Sequence, residues 1–162
     1  MRQFSEIQNE VQKLAKVIGA SQDQLPTYGE TRDLGYAHIE VDDLHYHYIY
    51  VERGQELERK STQNFDELLY FIFFDATHNI AINYELSNRI ENKDSRRIWF
   101  AKQIELMYSL SPEFGSKVEA HISKILKFHP YDDELIKQLN SKTYTQPSHD
   151  ELIKQINRAK GA

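Results

Sequence analysis

The sequence predicts an α+β fold, a mostly helical single domain with a small three-stranded antiparallel β-meander packed on a helical bundle. Three observations predict it. First, residues 64–90 put Leu69, Ile72, Phe73, Ala76, Ile80 and Tyr84 on one helical face. Leu68, Phe71, Phe74, Ala81, Ile82 and Leu86 fill most of the remainder, leaving a narrow polar strip at Glu67, His78, Glu85 and Arg89. A helix that is apolar almost all round must be covered on several sides, so it is expected at the centre of the domain. Second, the block before it (AHIEV, LHYHYIYVERG, ELERKS) alternates or is rich in β-branched and aromatic residues, as strands are. Third, spacings of three and four recur on both sides of that block, the mark of amphipathic helices.

In chain order, Phe4, Ile7, Val11, Leu14 and Ile18 form the first amphipathic helix, with Ser5 and Gln8 as its expected capping box and Gly19 as its end. Pro26, Gly29 and Gly35 mark residues 20–35 as a loop. The hairpin turn is expected at Asp42-Asp43, and Gly54-Gln55 reverses the chain into a third, more polar strand at the sheet edge. Asn64 and Glu67 read as the capping pair of the central helix. Asp94 is placed to cap the next helix, whose buried stripe holds Trp99, Phe100, Ile104, Leu106, Met107 and Leu110. Ser111-Pro112 starts another, carrying Phe114, Val118, Ile122, Ile125 and Leu126, and His129-Pro130 stops it.

The tail holds an internal repeat: DELIKQLN at residues 133–140 returns as DELIKQIN at 150–157, with SKTYTQPS as linker. Each copy is a short amphipathic helix, too short to be stable without a surface to lie on. The expected organisation is therefore an α+β domain over residues 1–133 and a helical tail over 134–162. A monomer is expected, with the tail as the alternative route to a dimer.

Composition narrows the function. The 162 residues fit one domain, and 10 Tyr and 8 Phe supply an aromatic core. A net charge of −5 argues against a nucleic-acid footprint and suits a basic partner. Without cysteine there is no disulfide, thiolate metal site or cysteine nucleophile. Asp75, His78, Asn79 and Asn83 break the central apolar run short of the ~20 residues a membrane span requires. The N-terminus MRQFSEIQNEV lacks an apolar signal core, so a cytoplasmic location is expected.

A two-residue turn would pair Glu40 with His45 and His38 with His47, gathering His38, Glu40, His45 and His47 on one sheet face as a candidate zinc site. The competing and favoured reading is a wet sheet face of hydrogen-bonded imidazoles, with no metal and no cofactor. Glu85, Arg89, Asp94, Arg96 and Arg97 read as a structural charge network at a helical corner. GxSxG, Walker and HExxH patterns are absent from the sequence.

The series LPTYG, HIEVD, YHY, VERGQE, DELLYFIF, YELSNRI, DSRRIWFAKQIEL, LSPEF and HPYDD, in unbroken order over residues 4–133, resembles the immunity protein 63 family of bacterial polymorphic toxin systems. Phe71 and Phe114 stand where relatives are expected to carry tryptophan, and the repeated tail has no counterpart in the resemblance. The resemblance implies a non-enzymatic protein that binds the C-terminal domain of a cognate toxin and protects the producing cell. The partner surface is expected on the hairpin: Tyr48, Tyr50, Glu52 and Arg53, with Asp42 and Asp43 at its tip. Core packing is the competing reading for the two tyrosines. The rival functions are a small metal-dependent enzyme using the histidine face and a regulatory module dimerising through the tail.

Overall fold

The computed structural model describes residues 1–141. The second DELIKQ copy, and with it the expectation of a dimer through the tail, lies outside the described residues. The described residues divide into two compact units, Met1–Ile90 with Ser95–Tyr131, and Glu91–Asp94 with residues 132–141.

The first unit runs α1 (Phe4–Ile18), a 3-10 turn (Gln22–Gln24), β1 (Thr27–Tyr28), β2 (Tyr36–Val41), β3 (Tyr46–Glu52), β4 (Gln55–Thr62), α2 (Phe65–Ser87), α3 (Arg96–Leu110) and α4 (Pro112–Phe128). The class is α+β, as the periodicities predict. Ile7, Val11, Ala15 and Ile18 form the buried stripe of α1, and Gly19, at φ 68°, ends it in the left-handed conformation that glycine adopts without strain. Its cap is Gln3 with Glu6, whose carboxylate accepts from the Gln3 N–H at 2.8 Å; Ser5 already lies inside the first turn.

The sheet departs from the three-stranded antiparallel meander in one respect: four strands lie in the order β1-β2-β3-β4, and β1 runs parallel to β2. Two residues are too short to display an alternation, so no sequence pattern announces β1. The β2–β3 turn spans four residues, 42–45, because the Asp42 carboxylate accepts from the backbone N–H groups of Leu44 (2.8 Å) and His45 (2.7 Å). Register therefore moves by two, pairing Val41 with Tyr46 and Glu40 with His47. Side chains alternate with a period of two, so the slip leaves the faces as expected, except that Leu44 is pushed into the exposed turn. Arg53 and Gly54, at φ 52° and 71°, make the β3–β4 reversal one residue earlier than Gly54-Gln55, and β4 forms the sheet edge.

In α2, Leu68, Leu69, Ile72, Phe73, Ala76 and Ala81 are all buried. Asn64 caps it, accepting from the N–H groups of Asp66 (2.8 Å) and Glu67 (3.2 Å), while the Glu67 side chain accepts from the Thr62 hydroxyl instead of completing a box. On one side α2 meets β3, with the Tyr48 and Phe71 rings 6.5 Å apart. On another it meets α3, where buried Gln103 donates to the Phe74 carbonyl at 3.0 Å. At the foot of α2 Arg89 grips buried Glu85 through two hydrogen bonds of 2.7 and 2.9 Å. Ser95, not Asp94, occupies the N-cap position of α3. Arg96 donates to the carbonyls of His129 (2.8 Å) and Pro130 (2.9 Å), and Arg97 lies over the Tyr131 ring. Ser111 and Pro112 start α4 as expected, with the Ser111 hydroxyl accepting from the Glu113 N–H at 3.2 Å.

In the second unit, α5 (Asp133–Ser141) forms from the first repeat copy. The Asp132 carboxylate accepts from the Leu135 N–H at 2.8 Å, and Asp133 binds the Lys93 ammonium and the Asp94 N–H. Leu135 and Leu139 are exposed.

The α3–α4 corner closes over Gly115, where an added Cβ would lie 2.2 Å from the Tyr108 ring. Gly115→Ala is expected to lower stability by about 1–3 kcal/mol through this overlap. Urea unfolding measures it, and most of the loss should vanish in a Tyr108→Ala background, where the obstructing ring is gone.

Candidate functional site

The alternation of β3 sends Tyr46, Tyr48 and Tyr50 to the face that packs on α2. Tyr48 is 2% exposed, and its ring meets that of Tyr50 edge-on with centroids 5.5 Å apart. The Tyr50 hydroxyl donates a short hydrogen bond to the carboxylate of Asp75, one of the few polar residues interrupting the apolar α2. Burial, reinforced by the Asp75 charge, holds both phenols well above the usual tyrosine range, so Tyr50 stays a donor.

Above this pair opens a cavity of about 250 Å³. Its floor is Tyr48, Tyr50, Asp75 and Asn79; its rim is built by the 3-10 turn, through Asp23 and Gln24, and by Leu34 and Tyr36. Among the described residues, no Lys, Arg or His lines it. The Asp23 carboxyl is held below the usual range by hydrogen bonds from Ser21 and from its own backbone N–H. Arg32 lies outside the lining, donating to the Leu25 carbonyl at 3.0 Å and covering the Tyr36 ring at 4.9 Å.

The rim is strained. Asp33, Leu34 and Gly35 take φ values of 58°, 58° and 74°, three left-handed residues in a row, of which only the last is glycine. A non-glycine residue held there costs about 1–3 kcal/mol. The loop is fixed by its neighbours: the Gly35 N–H donates to the Val51 carbonyl at 2.9 Å, and the Gly54 N–H donates to the Asp33 carboxylate at 3.2 Å. The strain serves no burial, since Leu34 is 77% exposed. Leu34, Tyr36 and the Arg53–Gly54 turn thus form one exposed margin beside the acidic cavity.

Of the residues expected at the partner surface, Tyr48 and Tyr50 form the cavity floor, while Glu52 and Arg53 stand at the adjoining turn. Asp42 and Asp43 are at the opposite end of β3, roughly 20 Å away along the strand. There they line a separate cavity of about 400 Å³ with Met1, Arg2, Gln3 and Phe4. Hydrogen bonds from His47 and from the backbone of Leu44 and His45 hold the Asp42 carboxyl far below its ordinary value. The six residues therefore belong to two separate ends of the sheet.

The four candidate metal ligands also part. His47 is held between Asp42 (2.9 Å) and Ser61 (2.8 Å), and His45 sits in the turn. His38, buried, contacts Glu40 at 3.4 Å, and its Nδ1 has no hydrogen-bond partner among the described residues. Glu40 is drawn to Arg59 at 3.1 Å. Among the described residues no group of three or more His, Cys, Asp or Glu side chains is arranged to hold a metal ion.

Sequence reasoning missed Asp23, Leu34, Tyr36, Asp75 and Asn79 as site residues. Asp75 and Asn79 had a signal, being polar positions within an apolar helix; Leu34 had none, because nothing in an Asp-Leu-Gly run announces consecutive left-handed residues.

A family model described as Immunity protein 63 matches residues 42–124, just over half of the chain. That segment contains the cavity floor, while the rim residues 23–36 lie before it. No curated protein and no solved structure matches the chain.

Two outcomes are expected. Leu34→Gly relieves the left-handed strain without removing a buried side chain, so it should raise stability in urea by about 0.5–1 kcal/mol; a loss of similar size would contradict the strain. Tyr28 is half-buried with its hydroxyl inaccessible and without a hydrogen-bond partner among the described residues, and burial pushes its pKa up to about 12. A phenol whose pKa rises on folding leaves stability intact below about pH 10, where the unfolded tyrosine is still protonated, and erodes it as pH climbs toward 12. Between pH 10 and 12 wild type should therefore lose more stability than Tyr28→Phe.

Proposed function

We propose, on the premise that this chain belongs to the immunity protein 63 family, that it neutralises a cognate bacterial toxin by binding the toxin's C-terminal domain. The observation that carries this reading is the family match over residues 42–124, which takes in β3, β4, α2, α3 and most of α4. Protection of this kind needs a complex that dissociates slowly and no covalent step, so the chain acts in the producing cell's cytoplasm as a binding protein and not as an enzyme.

The toxin-binding surface in this reading is the end of the sheet that carries the acidic cavity. An interface of standard size covers about 800 Å² per partner and takes most of its affinity from a few anchors in a desolvated centre. The cavity supplies such a centre, and exposed Leu34, Tyr36 and Arg53 supply contacts around it. Residues 1–133 carry this activity, with the tail over 134–162 as a separate element.

A growth assay tests the reading. The C-terminal domain of the large protein encoded beside this gene is expressed with and without the chain. Arrest by the toxin domain alone and restored growth on co-expression is the expected result. Continued arrest in the presence of soluble, accumulating chain would refute it.

A further inference from the structure

We infer that the cavity between Asp23 and Asp75 receives a cationic side chain, an arginine or lysine, presented by the toxin partner. The inference rests on the reading of this chain as a toxin-binding protein and names the chemistry of the contact. Four features of the cavity specify the guest.

Its size suits one side chain. At about 250 Å³ it lies below the roughly 300–1,000 Å³ of small-molecule sites. Its lining charge has one sign among the described residues: Asp23 at the rim and Asp75 at the floor contribute carboxylates and no described lining residue is basic, with Arg32 outside the lining, over the Tyr36 ring. Its lining is aromatic at Tyr36, Tyr48 and Tyr50, rings of the kind that attract a guanidinium or ammonium; they already stand near cations of this chain, Arg32 4.9 Å from Tyr36 and Lys60 6.0 and 5.9 Å from Tyr48 and Tyr50. Its remaining polar groups include one further acceptor, the side-chain carbonyl of Asn79, whereas that of Gln24 is taken by the N–H and hydroxyl of Ser21 at 2.9 and 3.0 Å.

The floor is set in advance. The Tyr50 hydroxyl donates to one oxygen of Asp75, which fixes the carboxylate while using only part of its accepting capacity. The elevated phenols of Tyr48 and Tyr50 carry no charge of their own at neutral pH. An entering cation meets a fixed anion and loses little to reorganisation. The net charge of −5 on the whole chain steers a basic surface toward the mouth before that contact forms.

The experiment uses the full chain and begins without the toxin. N-acetyl-L-arginine amide and its neutral isostere N-acetyl-L-citrulline amide are titrated separately into isotopically labelled protein, and backbone amide shifts are followed. Saturable shifts at Gly35, Asp75 and Asn79 with the arginine probe are expected. The citrulline probe should give none, and Asp75→Asn and Asp23→Asn should weaken or abolish the response. Equal responses to both probes, no response to either, or an arginine response unchanged in both variants would overturn the inference.

A second arm measures the Kd of the toxin domain for wild type and for the same two variants. Each variant should bind roughly tenfold or more weakly. Asp23 is exposed at the rim, so Asp23→Asn remains informative if Asp75→Asn disturbs folding. Wild-type binding with undiminished affinity in both variants sinks the cavity contact and leaves the immunity reading standing. Failure of wild type to bind any toxin domain sinks the immunity reading, and the titration alone then decides whether the cavity takes a cation.

Discussion

The structure depends on covering α2. Its residues Leu68, Ile72, Phe73, Ala76 and Ala81 are essentially inaccessible to water, and they point in too many directions for a single neighbour to bury. At about 1.5–3 kcal/mol for each large apolar side chain removed from water, leaving any flank of this helix open would forfeit much of a small domain's margin. The sheet therefore covers one flank with Ile39, Tyr46 and Tyr48, and α3 covers another with Phe100 and Met107. The polar groups trapped in this arrangement must then be satisfied locally. Gln103 is spent on the Phe74 carbonyl, Glu85 on Arg89 and Asp75 on Tyr50.

The candidate site follows from the same constraint. Asp75 lies on α2 within reach of β3, and the Tyr50 hydroxyl donates to its carboxylate. The pair could have been sealed over, yet the chain leaves a cavity above it and frames the opening with a loop held in a strained conformation. The strained residue, Leu34, packs into no core and projects into solvent. The strain is held by the Gly35–Val51 and Gly54–Asp33 hydrogen bonds, and it coincides here with an acidic cavity and an exposed turn.

Much of the fold was legible in the sequence. The near-continuous apolar circumference of residues 64–90 identified the central helix, and Asn64, Gly19 and Ser111-Pro112 marked true helix boundaries. The hairpin shows how a local error can leave the larger reading intact. The Asp42 side chain lengthens the turn by two residues, and because strands alternate with a period of two, every side chain on the paired strands keeps its expected face. A slip of one would have turned Tyr48 and Tyr50 toward solvent. The site was less legible, for a physical reason. Tyr48 and Tyr50 could be placed on a strand, but their link to Asp75 spans 25 residues between Tyr50 and α2, and the rim depends on backbone angles at Asp33 and Leu34 that residue type does not dictate. For the same reason Asp42 and Arg53, close in sequence, were grouped on one surface although a full strand separates them.

The toxin-binding surface proposed for this chain is the cavity end of the sheet. Hydrogen exchange of the full chain, free and bound to the toxin domain, tests it. Slowed exchange is expected to be confined to residues 22–36 and 50–55, which form the rim and the adjoining turn, with little change at the hairpin tip over residues 42–45. Protection centred on that tip, or on the β4 edge, with the rim unchanged, would contradict it.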